Sequence, residues 1–246
     1  MRANGPAWAA LPRVEAAEWL DQGHGTPADV AANLAEMWRL NRLLGGFSAL
    51  TRHLYPRLRA HPGPATVLDL GTGGAEVPRA LSAWAAHHLA PPQRPLTVIA
   101  ADWATRHLAV ARAQTHGLPA LHLLQADARH MPLASRSVDY VVSTLCLHHF
   151  APEAATTLLR AAFALCRRAL IVSDLVRGRL PLWGFRLVQP VLARHPLTRH
   201  DGAVSIRRAY TPAELLALAQ AAGLPAPRVH THWPWRMTLV VERPDA

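Results

Sequence analysis

The sequence predicts an α/β fold built on an open, doubly wound sheet, and three observations carry that reading. Short apolar runs with the character of buried parallel strands alternate with helical stretches from Ala65 onward. A glycine-rich turn, Gly71-Thr72-Gly73, follows the first of these runs. Of the 246 residues, 50% are apolar, enough to fill a sizeable core without cross-links.

Before residue 61 the pattern is helical. Thr26-Pro27-Ala28-Asp29 supplies an N-cap, a proline at the first helical position and an acid in the first turn, and Val30, Leu34, Met37 and Trp38 follow at helical spacing. Gly45-Gly46 breaks this helix, and Phe47 to Leu58 resumes the period until the loop His61-Pro62-Gly63-Pro64. Residues 1–60 are therefore expected to form an N-terminal helical cap. In the core, 61–174, strands are expected at Thr66–Leu70, Thr97–Ala101, Ala120–Leu124, Val138–Val142 and Ala169–Val172. Helices fall between them at Ala75–Leu89, Thr105–His116 and Pro152–Arg167, with Pro91–Pro95 as a loop. Residues 175–210 read as an insertion after the fifth strand. Leu180–Leu192 has helical spacing punctuated by Pro181, Gly184 and Pro190, and the rest, ending in Ser205-Ile206-Arg207-Arg208, reads as polar loop. Thr211-Pro212-Ala213-Glu214 is a capping box that opens a helix over Pro212–Ala222. The last strands, Arg228–His232 and Met237–Glu242, are separated only by Trp233-Pro234-Trp235-Arg236. That is too short for a crossover helix, so they pair antiparallel, and 211–246 completes a single domain spanning 1–246.

Composition excludes several chemistries. The formal charge is +10, and all 26 basic residues are Arg. With no Lys there is no Schiff base, no lysine base and no phosphate-binding P-loop. Cys146 and Cys166 show neither CxxC spacing nor a His partner pattern, so no disulfide framework and no metal site is expected, and the setting reads as reducing and cytoplasmic. Glu15, Glu18 and Asp21 interrupt any leader-like run, and nothing approaches the roughly 20 apolar residues of a membrane span.

The chemistry collects at the carboxyl ends of the strands. Gly71 and Gly73 in Asp69-Leu70-Gly71-Thr72-Gly73-Gly74 let the backbone turn tightly and approach a ligand, while Glu76 stands where a dinucleotide fingerprint has its third glycine. Asp102 ends the second strand, where a carboxylate accepts from both hydroxyls of a ribose. Trp103 after it either packs on a purine or belongs to the core. Asp127, followed by Ala128, is placed to take an adenine amino group, and Ser143-Thr144 closes the fourth strand.

In this order the motifs resemble the class I S-adenosylmethionine-dependent methyltransferases. The closest likeness is to the small-molecule branch that includes the ubiquinone and menaquinone C-methyltransferases and the type 11 and type 12 methyltransferase domains. Asn41–Gly46, Leu197–Gly202 and Ser205–Leu215 further resemble short bacterial methyltransferases of aromatic polyketide-type pathways. The resemblance implies a Rossmann-like, seven-stranded sheet with an antiparallel last strand, and S-adenosylmethionine as cofactor. It assigns Asp69, Gly71, Thr72 and Gly73 to the first motif, Asp102 to the ribose, Asp127 and Ala128 to the adenine, and Ser143 and Thr144 to the methionine moiety. The expected partner is a small-molecule acceptor, anionic or aromatic, such as a phenolic or polyketide-type hydroxyl.

A phenol, with a pKa near 10, gains from a general base. The candidates are His148 and His149 just past the fourth strand, and His200 beside Asp201; in each case the competing reading is a histidine that fixes local structure. Two alternatives to a small-molecule enzyme stay open. A nucleic-acid methyltransferase suits the charge but lacks both an Asn/Asp-Pro-Pro-Tyr/Phe motif after the fourth strand and a Pro-Cys context at Cys146. A cofactor-binding accessory protein without turnover needs only the glycine loop and Asp102. Between residues 37 and 68 no acid offsets Arg39, Arg42, Arg52, Arg57 and Arg59, and between 175 and 213 Asp201 alone faces seven arginines. If both segments border the pocket, they steer an anionic acceptor, or one delivered from a membrane surface.

Overall fold

The structure is a computed structural model that describes residues 11–89 and 95–244. Of the predicted 91–95 loop, all but Pro95 lies outside the described residues. Seven strands form one sheet in the order β3-β2-β1-β4-β5-β7-β6. They are β1 (Ala65–Leu70), β2 (Leu96–Asp102), β3 (Leu121–Gln125), β4 (Val138–Thr144), β5 (Cys166–Leu175), β6 (Arg228–His232) and β7 (Arg236–Glu242). Strands β1 to β5 pair parallel, and β7 pairs antiparallel with both β5 and β6. The expected α/β architecture is thus the observed one.

Eight helices surround the sheet: α1 (Pro27–Leu43), α2 (Gly46–Ala60), α3 (Glu76–His88), α4 (Thr105–Gln114), α5 (Pro152–Leu165), α6 (Arg179–Leu192), α7 (Pro196–Arg208) and α8 (Pro212–Ala221). Both predicted capping boxes are present, Thr26 with Asp29 on α1 and Thr211 with Glu214 on α8. One sheet face is covered by α5 and α8, which bury Leu158, Leu159, Leu215 and Ala219. The other is covered by α2, α3 and α4, with Leu50, Leu54, Leu58 and Leu81 fully buried against Val67, Val98 and Ile171. No helix among the described residues is long and apolar enough to cross a membrane.

Three expectations need correction. First, α2 does not belong to a cap: its Leu50, Leu54 and Leu58 recur every four residues, and that stripe is spent on the sheet. Second, residues 193–210 are not a polar loop but contain α7, capped by His195, whose Nδ1 accepts from Leu197 N at 3.3 Å. The buried positions of α7 include Thr198, Asp201, Ser205 and Arg208, so its inward stripe is polar and escapes a search for apolar period. Third, α5 stops at Leu165, and Cys166 and Arg167, which read as helix, open β5, with Arg167 facing outward.

The polar stripe of α7 serves a strap, residues 11–25, that crosses the carboxyl edge of the sheet without regular structure. Arg13 donates to the carbonyls of Arg208 at 2.7 Å and Phe150 at 2.8 Å. Arg177 donates to Leu11 O at 2.6 Å. Asp201 accepts from the backbone N–H groups of Trp19 and Leu20 at 2.8 and 3.1 Å, and Ser205 donates to Glu18 at 2.7 Å. Strap, α1, α6 and α7 together cover the carboxyl edge, and Leu40, Phe185, Ala193 and Ile206 form a small core of their own with Leu175.

Candidate active site

The site lies where the first, second and fourth strands end, the usual place for a ligand in a sheet of this kind. Gly71 has φ +73, and a Cβ built on it would overlap the Cys146 sulfur, so the turns after β1 and β4 approach more closely than any side chain allows. The Asp102 carboxylate joins two elements: Oδ2 accepts from Gly73 N at 2.8 Å and Oδ1 from Ala104 N at 2.9 Å. Thr72 Oγ1 donates to Asp69 Oδ2 at 2.7 Å. Burial raises the Asp69 pKa to about 7, against the opposing pull of that hydrogen bond.

Two adjoining cavities, of about 380 and 220 Å³, share Gly71, Asp102, Trp103, Cys146 and Phe150 and form one cleft. Asp69, Thr72, Gly73 and Thr144 line its larger part, and Asp127 and Ala128 its smaller part. Trp103 is 65% exposed at the junction and is therefore not a core residue. The Asp127 carboxylate is held by Arg129, whose Nη2 lies at 2.6 Å, and this pairing, with Arg129 N–H, lowers its pKa to about 2. Ser143 is the exception among the predicted ligands: it lines neither cavity, and its Oγ donates to Leu70 O at 2.9 Å, tying β4 to β1.

The strap supplies what sequence reasoning missed. Glu18, Leu20 and Asp21 roof the larger cavity, more than 45 positions before Asp69, with no local motif to announce them. Four buried oxygens of residues that line the cleft, Asn41 Oδ1, Asp69 Oδ1, Glu76 Oε1 and Thr144 Oγ1, have no hydrogen-bond partner. Unmade bonds beside a glycine turn, an acid at the end of β2 and an exposed indole fit a ligand with an amino-acid end, a ribose and a purine.

The sheet order and the cleft at its carboxyl edge are those of the methyltransferase fold, and the residues that line the cleft suit S-adenosylmethionine. Residues 67–169 match the family described as a methyltransferase domain. A search of the curated proteins finds no match. Among solved structures the chain is similar to a SAM-dependent methyltransferase from Aquifex aeolicus, with TM-score 0.57, 15% identity, and coverage of 89% of this chain and 99% of that one. It is also similar to the magnesium protoporphyrin IX methyltransferase from Synechocystis with bound SAH, with TM-score 0.54, 15% identity, and coverage of 82% and 84%. A third is the CurJ carbon methyltransferase, with TM-score 0.64, 11% identity, and coverage of 91% of this chain and 62% of that one. At these identities the likeness is one of fold.

The three candidate bases part company. His148 is 1% exposed and lines none of the cavities. Its Nδ1 lies 2.8 Å from Asp174 Oδ1 and its Nε2 3.4 Å from Glu18 Oε1. Burial opposes protonation, but the two carboxylates outweigh it and raise the pKa to about 10, so the group is a cation at neutral pH and not a base. Glu18, His148 and His149 bring ligating atoms within 4.8 Å of one another, but both ring nitrogens of His148 face carboxylates, and an imidazolium offers no lone pair to a metal. His200 stacks on Trp19 with ring centroids 3.9 Å apart, pairs with Asp201, and lines no cavity. His149 alone borders the cleft, with Nδ1 at 2.8 Å from Asp21 Oδ2.

A third cavity, about 260 Å³, opens between α1, α6 and the turn from β6 to β7. Its walls are almost wholly apolar, with Leu40, Trp183, Phe185 and Trp235 among them. Met37, Asn41 and Leu145 border both this cavity and the cofactor cleft, and Leu145 holds a left-handed φ of 55 at that junction. Outside the mouth, α6 leaves Leu180, Trp183, Leu187 and Val191 exposed along one face.

Proposed function

We propose that the protein transfers a methyl group from S-adenosylmethionine to a small, largely apolar acceptor seated in the third cavity, with a phenolic or polyketide-type hydroxyl compound as the leading class. The observation that carries this reading is the shared border of the two cavities at Met37, Asn41 and Leu145. A molecule in the apolar chamber reaches the cofactor only across those side chains. Two of the similar structures, a porphyrin methyltransferase and a carbon methyltransferase by name, are consistent with it.

The cofactor supplies an electrophilic methyl on a sulfonium, which leaves as a neutral thioether once the methyl has moved. The protein's part is to bind, orient and exclude water. Asp102 is assigned to the ribose hydroxyls; Trp103, Asp127 and Ala128 to the adenine; and Asp69 and Thr144, with their unmade hydrogen bonds, to the methionine end. Apolar walls and the strap keep solvent from the transfer path.

Isothermal titration with S-adenosylmethionine tests the first half. Asp102→Ala removes charge-assisted hydrogen bonds worth about 1.5–3 kcal/mol each, so Kd is expected to rise by roughly 10- to 100-fold. An unchanged Kd would show the ribose assignment to be wrong. Incubation with methyl-labelled cofactor and a pool of phenolic acceptors tests the second half, and no transfer to any of them removes the acceptor class.

A further inference from the structure

Arg236 opens β7 opposite Leu175, at the carboxyl end of β5, and lines the apolar cavity. It is 6% exposed, and its guanidinium donates no hydrogen bond to any described residue; Nε is wholly enclosed without a partner. The carboxylate that acts on it, Asp174, already accepts from Leu175 N at 2.7 Å and pairs with His148 at 2.8 Å. Asn41 Oδ1, close by across the bare backbone of Gly46, is likewise buried without a partner. A guanidinium carries five N–H donors in a planar fork. Leaving all of them unmade in a hydrocarbon chamber is costly, and such groups are found where a ligand supplies the acceptors. Burial lowers the Arg236 pKa to about 10, with Asp174 opposing, so the charge persists at neutral pH.

We propose that Arg236 is the anchor of the acceptor and selects molecules that carry an anionic oxygen, a phenolate or a carboxylate, on a flat apolar body. This rests on reading the cavity as the acceptor site, and it places a fixed charge in a cavity that none of His148, His149 and His200 lines. A phenol bound there loses its proton to solvent, and the guanidinium stabilises the anion that remains. The electron pair on that oxygen, or on the conjugated ring carbon beside it, then forms the bond to the methyl carbon as the carbon–sulfur bond breaks. When carbon is methylated, the proton on that ring carbon passes to solvent water, its C–H electron pair restores the aromatic ring, and the oxygen is left as a phenolate beside the guanidinium.

Equilibrium dialysis of the full chain with naphthalene, 2-naphthol and 2-naphthoate tests the proposal. One or both oxygen-bearing probes are expected to bind at least about tenfold more tightly than naphthalene, and Arg236→Met, which keeps length and volume, is expected to erase that preference while leaving naphthalene binding intact. A stronger preference for 2-naphthoate marks carboxylate acceptors and one for 2-naphthol marks phenolic ones. Equal binding of all three probes, or a preference that survives in Arg236→Met and in Arg236→Gln, overturns it. S-adenosylmethionine affinity, measured on the same samples, reports separately: unchanged in the variants, it shows that they are folded, and its absence in the unaltered protein would defeat the methyltransferase reading without touching the probe result.

Discussion

The imidazolium of His148 sits between Asp174 and Glu18, and pH acts on the trio from both sides. Its folded pKa, about 10, lies above the ordinary 6.5, so its contribution to stability is complete below 6.5 and is lost as pH rises through 10. For Glu18 the sign is reversed. Despite burial, His149 and His148 lower it from 4.5 to about 2, so its contribution is present above 4.5 and is lost as pH falls through 2. The cluster is therefore worth most between about 4.5 and 6.5. His148→Gln leaves two buried carboxylates unpaired, and urea denaturation at pH 6 is expected to show a loss of about 3–5 kcal/mol. The same variant should show a flatter fall in stability between pH 7 and pH 10 than the unaltered protein. Gly71→Ala acts through shape instead: at φ +73, with the Cys146 sulfur in the way, it is expected to abolish cofactor binding in a calorimetric titration and to cost about 1–3 kcal/mol of stability.

At the scale of elements, legibility followed the kind of stripe each helix carries. Helices α1 and α8 announce themselves because a capping box is a local pattern four residues long. The glycine turn and the acid ending β2 are equally local, each the end of one strand, and Asp69, Gly71, Thr72, Gly73, Asp102 and Trp103 among the predicted cofactor ligands came from them. Helix α7 stayed hidden because Asp201, Ser205 and Arg208 face inward to hold a strap some 180 positions away, and Thr198 accepts from Asn33 of α1, none of which a rule of apolar period registers. The apolar cavity was illegible for the same reason, since its walls come from α1, α6, α7 and the β6–β7 turn. Because Asp201 fixes the strap through the N–H groups of Trp19 and Leu20, Asp201→Ala is expected to speed amide exchange at both residues. It should also weaken S-adenosylmethionine binding, because Leu20 and Asp21 roof the cleft; unaltered exchange would show that Arg13, Arg177, Ser205 and Arg208 hold the strap without Asp201.

Over the whole molecule, the arginine surplus that pointed to a steering field around the pocket resolves differently. Arg57 pairs with Glu242 and its carbonyl accepts from Tyr140, which places it toward the amino end of β5 and away from the cleft. Arg59 stacks over Trp84 on the α2–α3 side. Arg13, Arg177 and Arg208 are occupied with backbone carbonyls of the strap and its supports. Arg57→Glu with Arg59→Glu is therefore expected to leave acceptor KM and its salt dependence unchanged and to cost about 1 kcal/mol or less for the surface pair, read from initial rates and denaturant midpoints. The cation proposed to hold the acceptor, Arg236, is buried with its Nε unpartnered, and it comes near the end of the chain. All cofactor-cleft residues but Asp201 precede position 151, whereas the acceptor cavity draws on residues from Met37 to Arg236. During synthesis, then, the turns that line the cleft leave the ribosome long before the chamber beside them has its floor, and an acceptor seated as proposed is selected only once the final hairpin has closed onto β5.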